Sequence, residues 1–298
     1  MTDFLSLAGQ IGGILFPVFA IAAAGYVWAR ADPTFKSQLL GDVSLHVGVP
    51  ALLFGTLVRA QLETDLLVSA ALGAMLYIAI IHIGLFTLLK VSGQALQPGL
   101  TGLSFGNWGN IGMPVCFFAF GQTGLTIAAT FFAVSIFSQF TLGWRVASGA
   151  WDPKRILTFP LLWALLAAVI IRALDVMPPK WIMDSADLAG GVAIPAMLLA
   201  LGGGIARMQP SGLAKGLSWA GIRYALGLAA GLCVVVVLPI DSDIKPIIVL
   251  VAMMPIAVFN YILAGKTGQD DAAVAGYIVA SLLLAMVILP TTLALTLR

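Results

Sequence analysis

The chain has 298 residues, of which 60% are hydrophobic and 9% charged, with a net charge of +2. A soluble domain carries about one-quarter charged residues, so this composition indicates an integral membrane protein and excludes a basic nucleic-acid-binding module. The single Glu is Glu63 and the two cysteines, Cys116 and Cys233, lie apart in apolar runs. They have no metal-ligand spacing and read as small buried hydrophobes, so neither a cofactor nor a metal is expected.

Ten apolar runs follow one another: 11–29, 43–58, 66–89, 100–120, 124–144, 156–174, 188–206, 217–240, 246–265 and 272–297. Most approach the ~20 residues that a helix needs to cross ~30 Å of hydrocarbon. They lack period-2 alternation, which argues for helices over barrel strands. The first run has no basic residue before it and reads as a span and not as a signal peptide. The connections after odd-numbered runs hold Arg30, Lys36, Lys90, Arg145, Lys154, Arg155, Arg207, Lys215 and Lys266, and Arg223 near the start of the eighth run is assigned to the same side. Arg59, Arg172, Lys180, Lys245 and Arg298 fall on the other side. The positive-inside rule then places both termini outside the cytoplasm, in a multi-pass protein of the cell membrane, the bacterial inner membrane being expected. Trp28, Trp144 and Trp219 near span ends fit an aromatic belt.

The two halves of the chain repeat one another. Phe16-Pro17 returns as Phe159-Pro160, and Val47-Gly48-Val49-Pro50-Ala51-Leu52-Leu53 as Val192-Ala193-Ile194-Pro195-Ala196-Met197-Leu198. Met113-Pro114 returns as Met254-Pro255, and Thr123-Gly124 as Thr267-Gly268. Four matches in the same order at nearly constant offset point to a repeat, 1–150 and 151–298. Each half has five runs, an odd number, so the second must enter the membrane from the opposite side. The expected fold is therefore all-α, with ten transmembrane helices in two inverted five-helix repeats.

Runs four and nine are interrupted near their middles. Asn107-Trp108-Gly109-Asn110-Ile111-Gly112-Met113-Pro114 breaks one, and Met254-Pro255 with Asn260 breaks the other. Proline cannot continue a helix undistorted, and each backbone group freed in hydrocarbon costs several kcal/mol unless protein or water satisfies it. Paired breaks at the midplane are a transporter's usual substrate site. Pro114 and Pro255 suit the first turn of a new half-helix, whose N-terminus favours an anion. Asn107, Asn110, Gly112, Pro114, Pro255 and Asn260 are therefore candidate substrate-binding residues, with Ser138 and Gln139 of the fifth run. Ser135 shares a helical face with these last two, and helix-to-helix hydrogen bonding is the alternative role for the cluster. No Asp or Glu lies inside a run, which argues against a sodium/proton antiporter. His82, in the third run, is the candidate proton carrier; a packed neutral histidine is the alternative. Gly202, Gly203 and Gly204 fit either a hinge or close helix packing.

Asn107, Gly112, Pro114 and Gly121 resemble the fourth-helix pattern Asn-x4-Gly-x-Pro-x6-Gly of the auxin efflux carrier family. Pro195 with Leu199 and Gly202 is similar to its seventh helix. Met254-Pro255 with Leu263-Ala264, Lys266 and Gly268 is similar to its ninth helix and basic exit loop, and Leu289-Pro290 fits its last helix. Thr267 replaces a common aromatic residue and the long central loop is missing, so the chain resembles a short microbial member. The resemblance implies a fold shared with bile-acid/sodium symporters, a scaffold of helices 1, 2, 6 and 7, and a transport domain of helices 3–5 and 8–10. It implies a secondary transporter of small carboxylates working by elevator-like alternating access, and not an enzyme. A sodium-coupled symporter of the bile-acid type and a membrane receptor on the same fold are the alternatives. Expected partners are a small organic anion and the lipid bilayer, with a homodimer as an open arrangement.

Overall fold

A computed structural model describes residues 2–60, 64–151 and 154–297. Glu63 and Arg298 therefore lie outside the described residues. The chain is all-helical among them: α1 (Thr2–Ala31), α2 (Ser37–Val43), α3 (Val49–Val58), α4 (Thr64–Val91), α5 (Leu96–Leu103), α6 (Met113–Ser138), α7 (Trp144–Ser148), α8 (Lys154–Leu157), α9 (Pro160–Ala173), α10 (Lys180–Gly190), α11 (Ala193–Arg207), α12 (Leu213–Val237), α13 (Lys245–Ala252), α14 (Phe259–Lys266) and α15 (Asp271–Thr296). Among the described residues, seven helical stretches are long and apolar enough to cross a membrane: Leu5–Ala31, Ser37–Val58, Thr64–Val91, Trp108–Ser148, Lys180–Arg207, Leu213–Val237 and Asp271–Thr296.

Seven is fewer than the ten expected passes, for three local reasons. The fourth and fifth runs join into one stretch whose only interruption is Phe120–Gly121, where Gly121 takes φ +61°. Glycine accepts that left-handed conformation without the Cβ clash of other residues. The sixth run becomes α9, only 14 residues long. The ninth is divided into α13 and α14, of eight residues each.

Proline shapes the long helices through wide turns. Ser44–Gly48 and Trp108–Gly112 are π-helical, and each is followed by Val49-Pro50 or Met113-Pro114. The N–H of Val49 reaches back to Ser44, and that of Met113 to Trp108, one residue further than in an α-helix. Widening the turn accommodates a proline that has no N–H and would clash with the carbonyl four residues back. The fourth run therefore resumes its helix at Trp108, with Asn107 as N-cap, and Pro114 lies within the continuing helix. Pro255 lies in the second break itself, four residues before α14. Neither proline opens a half-helix as the sequence suggested.

The helices sort into two packed groups. In one, α1 crosses α11, and the α2–α3 stretch packs on α9, α10 and α11. A Cβ added at Gly202 would fall 1.8 Å from the Ala22 carbonyl oxygen, and one at Gly25 2.3 Å from that of Leu199. Backbones touch directly at this crossing, so close packing explains Gly202 without a hinge. In the other group α12 packs on α15, α4 and α13, while α6 packs on α4 and α13. Trp219 is buried in the core instead of facing lipid, whereas Trp28 is half exposed.

Candidate functional site

The two breaks pair with each other at the centre of the second group. Gly106 and Ile256 form an antiparallel bridge. The N–H of Asn107 donates to the Pro255 carbonyl at 2.6 Å, and that of Ala257 to the Phe105 carbonyl at 3.0 Å. These bonds satisfy backbone groups that the interrupted helices would otherwise leave bare in an apolar interior. Ser281 of α15 completes the second break, accepting from the N–H of Ile256 at 3.1 Å and donating to the Ile278 carbonyl.

Asn260 braces this crossing. It is fully buried, and its Nδ2 donates to the carbonyls of Gly102 and Phe105 at 3.1 and 3.3 Å. Its Oδ1 accepts from Gln139 Nε2 at 2.9 Å. Gln139 thus ties the π-turn Gln139–Gly143, which continues α6, to the first turn of α14. Asn107 differs. Its Oδ1 caps the new helix by accepting from the N–H of Asn110 at 3.2 Å. Its Nδ2 is buried and has no partner among the described residues. The side chain is only 4% exposed.

A cavity of about 360 Å³ opens beside this amide. Gly106, Asn107, Gly109 and Asn110 line it from the first break, Ala257, Val258 and Phe259 from the second. Ser135 and Gln139 form part of its floor, and α2 and α11 supply the facing wall. The N–H groups of Gly109, Val258 and Phe259 lie at the two helix N-termini with no carbonyl partner among the described residues. Helix N-termini carry about half a positive charge each, so their side of the cavity favours an anion. Arg207, Lys266 and Asp42 stand among the lining residues.

Of the residues singled out in the sequence, Asn107, Asn110 and Gln139 line this cavity. Asn260 lies behind it as the brace. Gly112, Pro114 and Pro255 are buried in the crossing but do not line the cavity, and Ser138 is half-buried outside it. His82 is also outside it: Nδ1 lies 2.8 Å from the Ile78 carbonyl, and the ring meets Phe105 edge-on at 5.1 Å.

Two features were misread in the sequence. Arg223 is not a marker at a span end. It lies within α12, 3% exposed, with Nε donating to the Leu103 carbonyl at 2.8 Å and Nη1 to the Tyr77 hydroxyl at 3.0 Å. The second helical stretch begins at Ser37, six residues before the expected start, so Asp42 belongs to a helix and borders the cavity. The polar Ser37, Gln38 and Asp42 obscured that start because they face a wet cavity and not lipid. Tyr77, Trp108 and Ser281 complete the crossing, and buried polar groups inside apolar runs were the available signal for them.

A second cavity, of about 500 Å³, is lined by Arg59, Asp187, Gln122, Thr123 and Thr126. Ser37 and Arg59 flank opposite ends of one 22-residue helical stretch, ~33 Å long at 1.5 Å per residue. The two cavities therefore open at opposite ends of the molecule, each between the two helix groups.

No curated protein matches the chain. A family model described as a membrane transport protein matches residues 146–293, from the end of α7 to the last turns of α15. With the paired helix breaks and the membrane-spanning helices, this match shows that the chain belongs to the membrane transport protein family, that of the auxin efflux carriers, whose members are transporters and not enzymes.

Proposed function

We propose that the protein is a secondary transporter of a small organic anion, a carboxylate, held in the cavity at the crossed breaks. The observation that carries this reading is the Asn107 amide nitrogen, buried and without a partner among the described residues, in a residue that lines a cavity bordered by two helix N-termini. A buried donor without an acceptor costs about 1–3 kcal/mol, and a carboxylate oxygen would satisfy it. Asn110 adds a second amide, and the N–H groups of Gly109, Val258 and Phe259 add fixed donors. The cavity, of about 360 Å³, is large enough for a small acid.

In this reading the ten apolar runs are ten passes, arranged as two inverted repeats, 1–150 and 151–298. The α5–α6 and α13–α14 breaks support it, since each opens after an eight-residue helix. The group of α1, α2–α3, α9 and α10–α11 is the scaffold, and the group of α4–α7 and α12–α15 is the moving domain. The cavity lies between them, as elevator-like exchange requires. With both termini on the non-cytoplasmic side, the cavity bordered by Arg207 and Lys266 faces the cytoplasm. A proton travelling with the anion would be held by His82, whose ring touches Phe105 of the first break. His82→Gln then flattens the pH dependence of uptake near neutrality, and an unchanged profile assigns the proton elsewhere.

The test is a binding titration of mono- and dicarboxylates on purified wild type and Asn107→Ala, followed by uptake in proteoliposomes. A charge-assisted hydrogen bond is worth about 1.5–3 kcal/mol, so affinity should fall about ten- to a hundredfold while the fold persists. Equal affinity in both proteins removes the site. Binding without accumulation in the vesicles would make the protein a receptor.

A further inference from the structure

Behind the crossing, away from the cavity, the two half-helices α5 and α13 end with their carbonyls close to one buried cation. Leu103 is the last residue of α5, and its carbonyl accepts from Arg223 Nε at 2.8 Å. Ala252 is the last residue of α13, and its carbonyl accepts from the Tyr77 hydroxyl at 2.8 Å, which in turn accepts from Arg223 Nη1 at 3.0 Å. The guanidinium carbon lies 5.7 Å from the centre of the Tyr77 ring. Trp108 Nε1 takes the neighbouring carbonyl, that of Val251, at 2.8 Å. Arg223 Nη2 has no hydrogen-bond partner, and no carboxylate pairs with Arg223 among the described residues.

A lone buried charge costs several kcal/mol unless something compensates it. Two helix C-termini, each carrying about half a negative charge, supply about one unit in total. The balance is therefore between one guanidinium and two helix ends. Half-helix C-termini and unwound carbonyls are also where sodium-coupled transporters seat their mobile cation. Both demands are met here by a side chain. We propose that Arg223 is a resident cation occupying the seat that a mobile coupling cation would take at the carbonyl ends of α5 and α13, so that transport runs independently of sodium and potassium.

This is a positioning role: Arg223 lies outside the lining of the cavity. The proposal rests on reading the crossing as the transport core, but its test needs no substrate and so fails independently of the Asn107 site. Melting temperatures of purified wild type, Arg223→Lys, Arg223→Gln and Arg223→Ser are compared in sodium, potassium and N-methylglucamine chloride at equal ionic strength. Wild type and Arg223→Lys should melt at the same temperature in all three salts. Arg223→Ser should melt lower in N-methylglucamine and recover in sodium, because the small ion enters the seat. Arg223→Gln should lose stability without recovery, its amide filling the space without the charge.

A sodium-dependent shift in wild type overturns the proposal, since a mobile site would then coexist with the arginine. So does an Arg223→Gln as stable as wild type, or an Arg223→Ser that folds and ignores the salt. Should Arg223→Ser and Arg223→Gln both fail to fold, a folded, salt-indifferent Arg223→Lys sustains the charge assignment. Failure of Arg223→Lys as well overturns it in favour of a purely steric role.

Discussion

Asn107 and Asn260 belong to the two arms of one crossing, and the structure uses their amides in different ways. Asn260 is saturated: two backbone carbonyls take its amide hydrogens, and Gln139 takes its oxygen. Asn107, which lines the cavity, commits its oxygen to the cap of the new helix and leaves its nitrogen buried without a partner among the described residues. The same side chain is a brace in one arm and, in the proposed function, a binding group in the other. Residue type does not separate these roles; satisfaction of the amide does.

The largest effect that breaks this comparison is on stability. Asn260→Ala removes three buried hydrogen bonds and strips Gln139 and the Gly102 carbonyl of these partners in an apolar interior, while the Phe105 carbonyl keeps the Ala257 N–H. At roughly 1 kcal/mol per bond the loss is about 3 kcal/mol. The melting temperature in detergent should fall, with or without substrate. Wild-type stability combined with lost binding would reverse the assignment and make Asn260 a ligand. Asn107→Ala should show the opposite pattern. Its Nδ2 has no bond to lose, so only the weak cap is removed, at about 1 kcal/mol. The effect should appear in affinity, at about ten- to a hundredfold. Comparing the loss of stability with the loss of affinity across the two variants is sharper than either measurement alone.

The breaks themselves were legible in the sequence because asparagine, glycine and proline inside an apolar run leave few other readings. Their register was not. Pro114 suggested a helix starting there, but the π-turn at Trp108–Gly112 moves the start back to Trp108. A π-turn has no sequence mark apart from the proline it accommodates. Arg223 was misplaced because counting basic residues treats every arginine as a group seeking water. In this interior two helix ends take the place of water. Asp42 was missed for the converse reason: a helix turn that borders a wet cavity looks like a loop when only hydropathy is read. At the α1–α11 crossing the sequence left Gly202 open between a hinge and close packing; the structure favours packing, since Gly25 and Gly202 permit a backbone approach that any side chain would prevent.

The smallest expected effect lies at the mouth of the cavity, where two cations again differ in commitment. Arg207 Nη2 donates to the carbonyls of Phe35 and Pro33 at 2.6 and 3.4 Å, which ties the end of α11 to the turn before α2. Replacing it would disturb both the wall and the charge. Lys266 ends α14, is exposed, and its side chain makes no hydrogen bond or ion pair among the described residues. Under the proposed function its contribution is therefore a field acting on an arriving anion. Lys266→Gln should lower the initial uptake rate about two- to fivefold at low ionic strength, with melting temperature unchanged. The loss should shrink as salt is raised, because exposed charges are screened beyond about 8 Å at 0.15 M. A loss that persists at high salt would mean that Lys266 touches the substrate directly. The binding site would then extend from the crossing to the mouth, and the free amide of Asn107 would be one of two anchors.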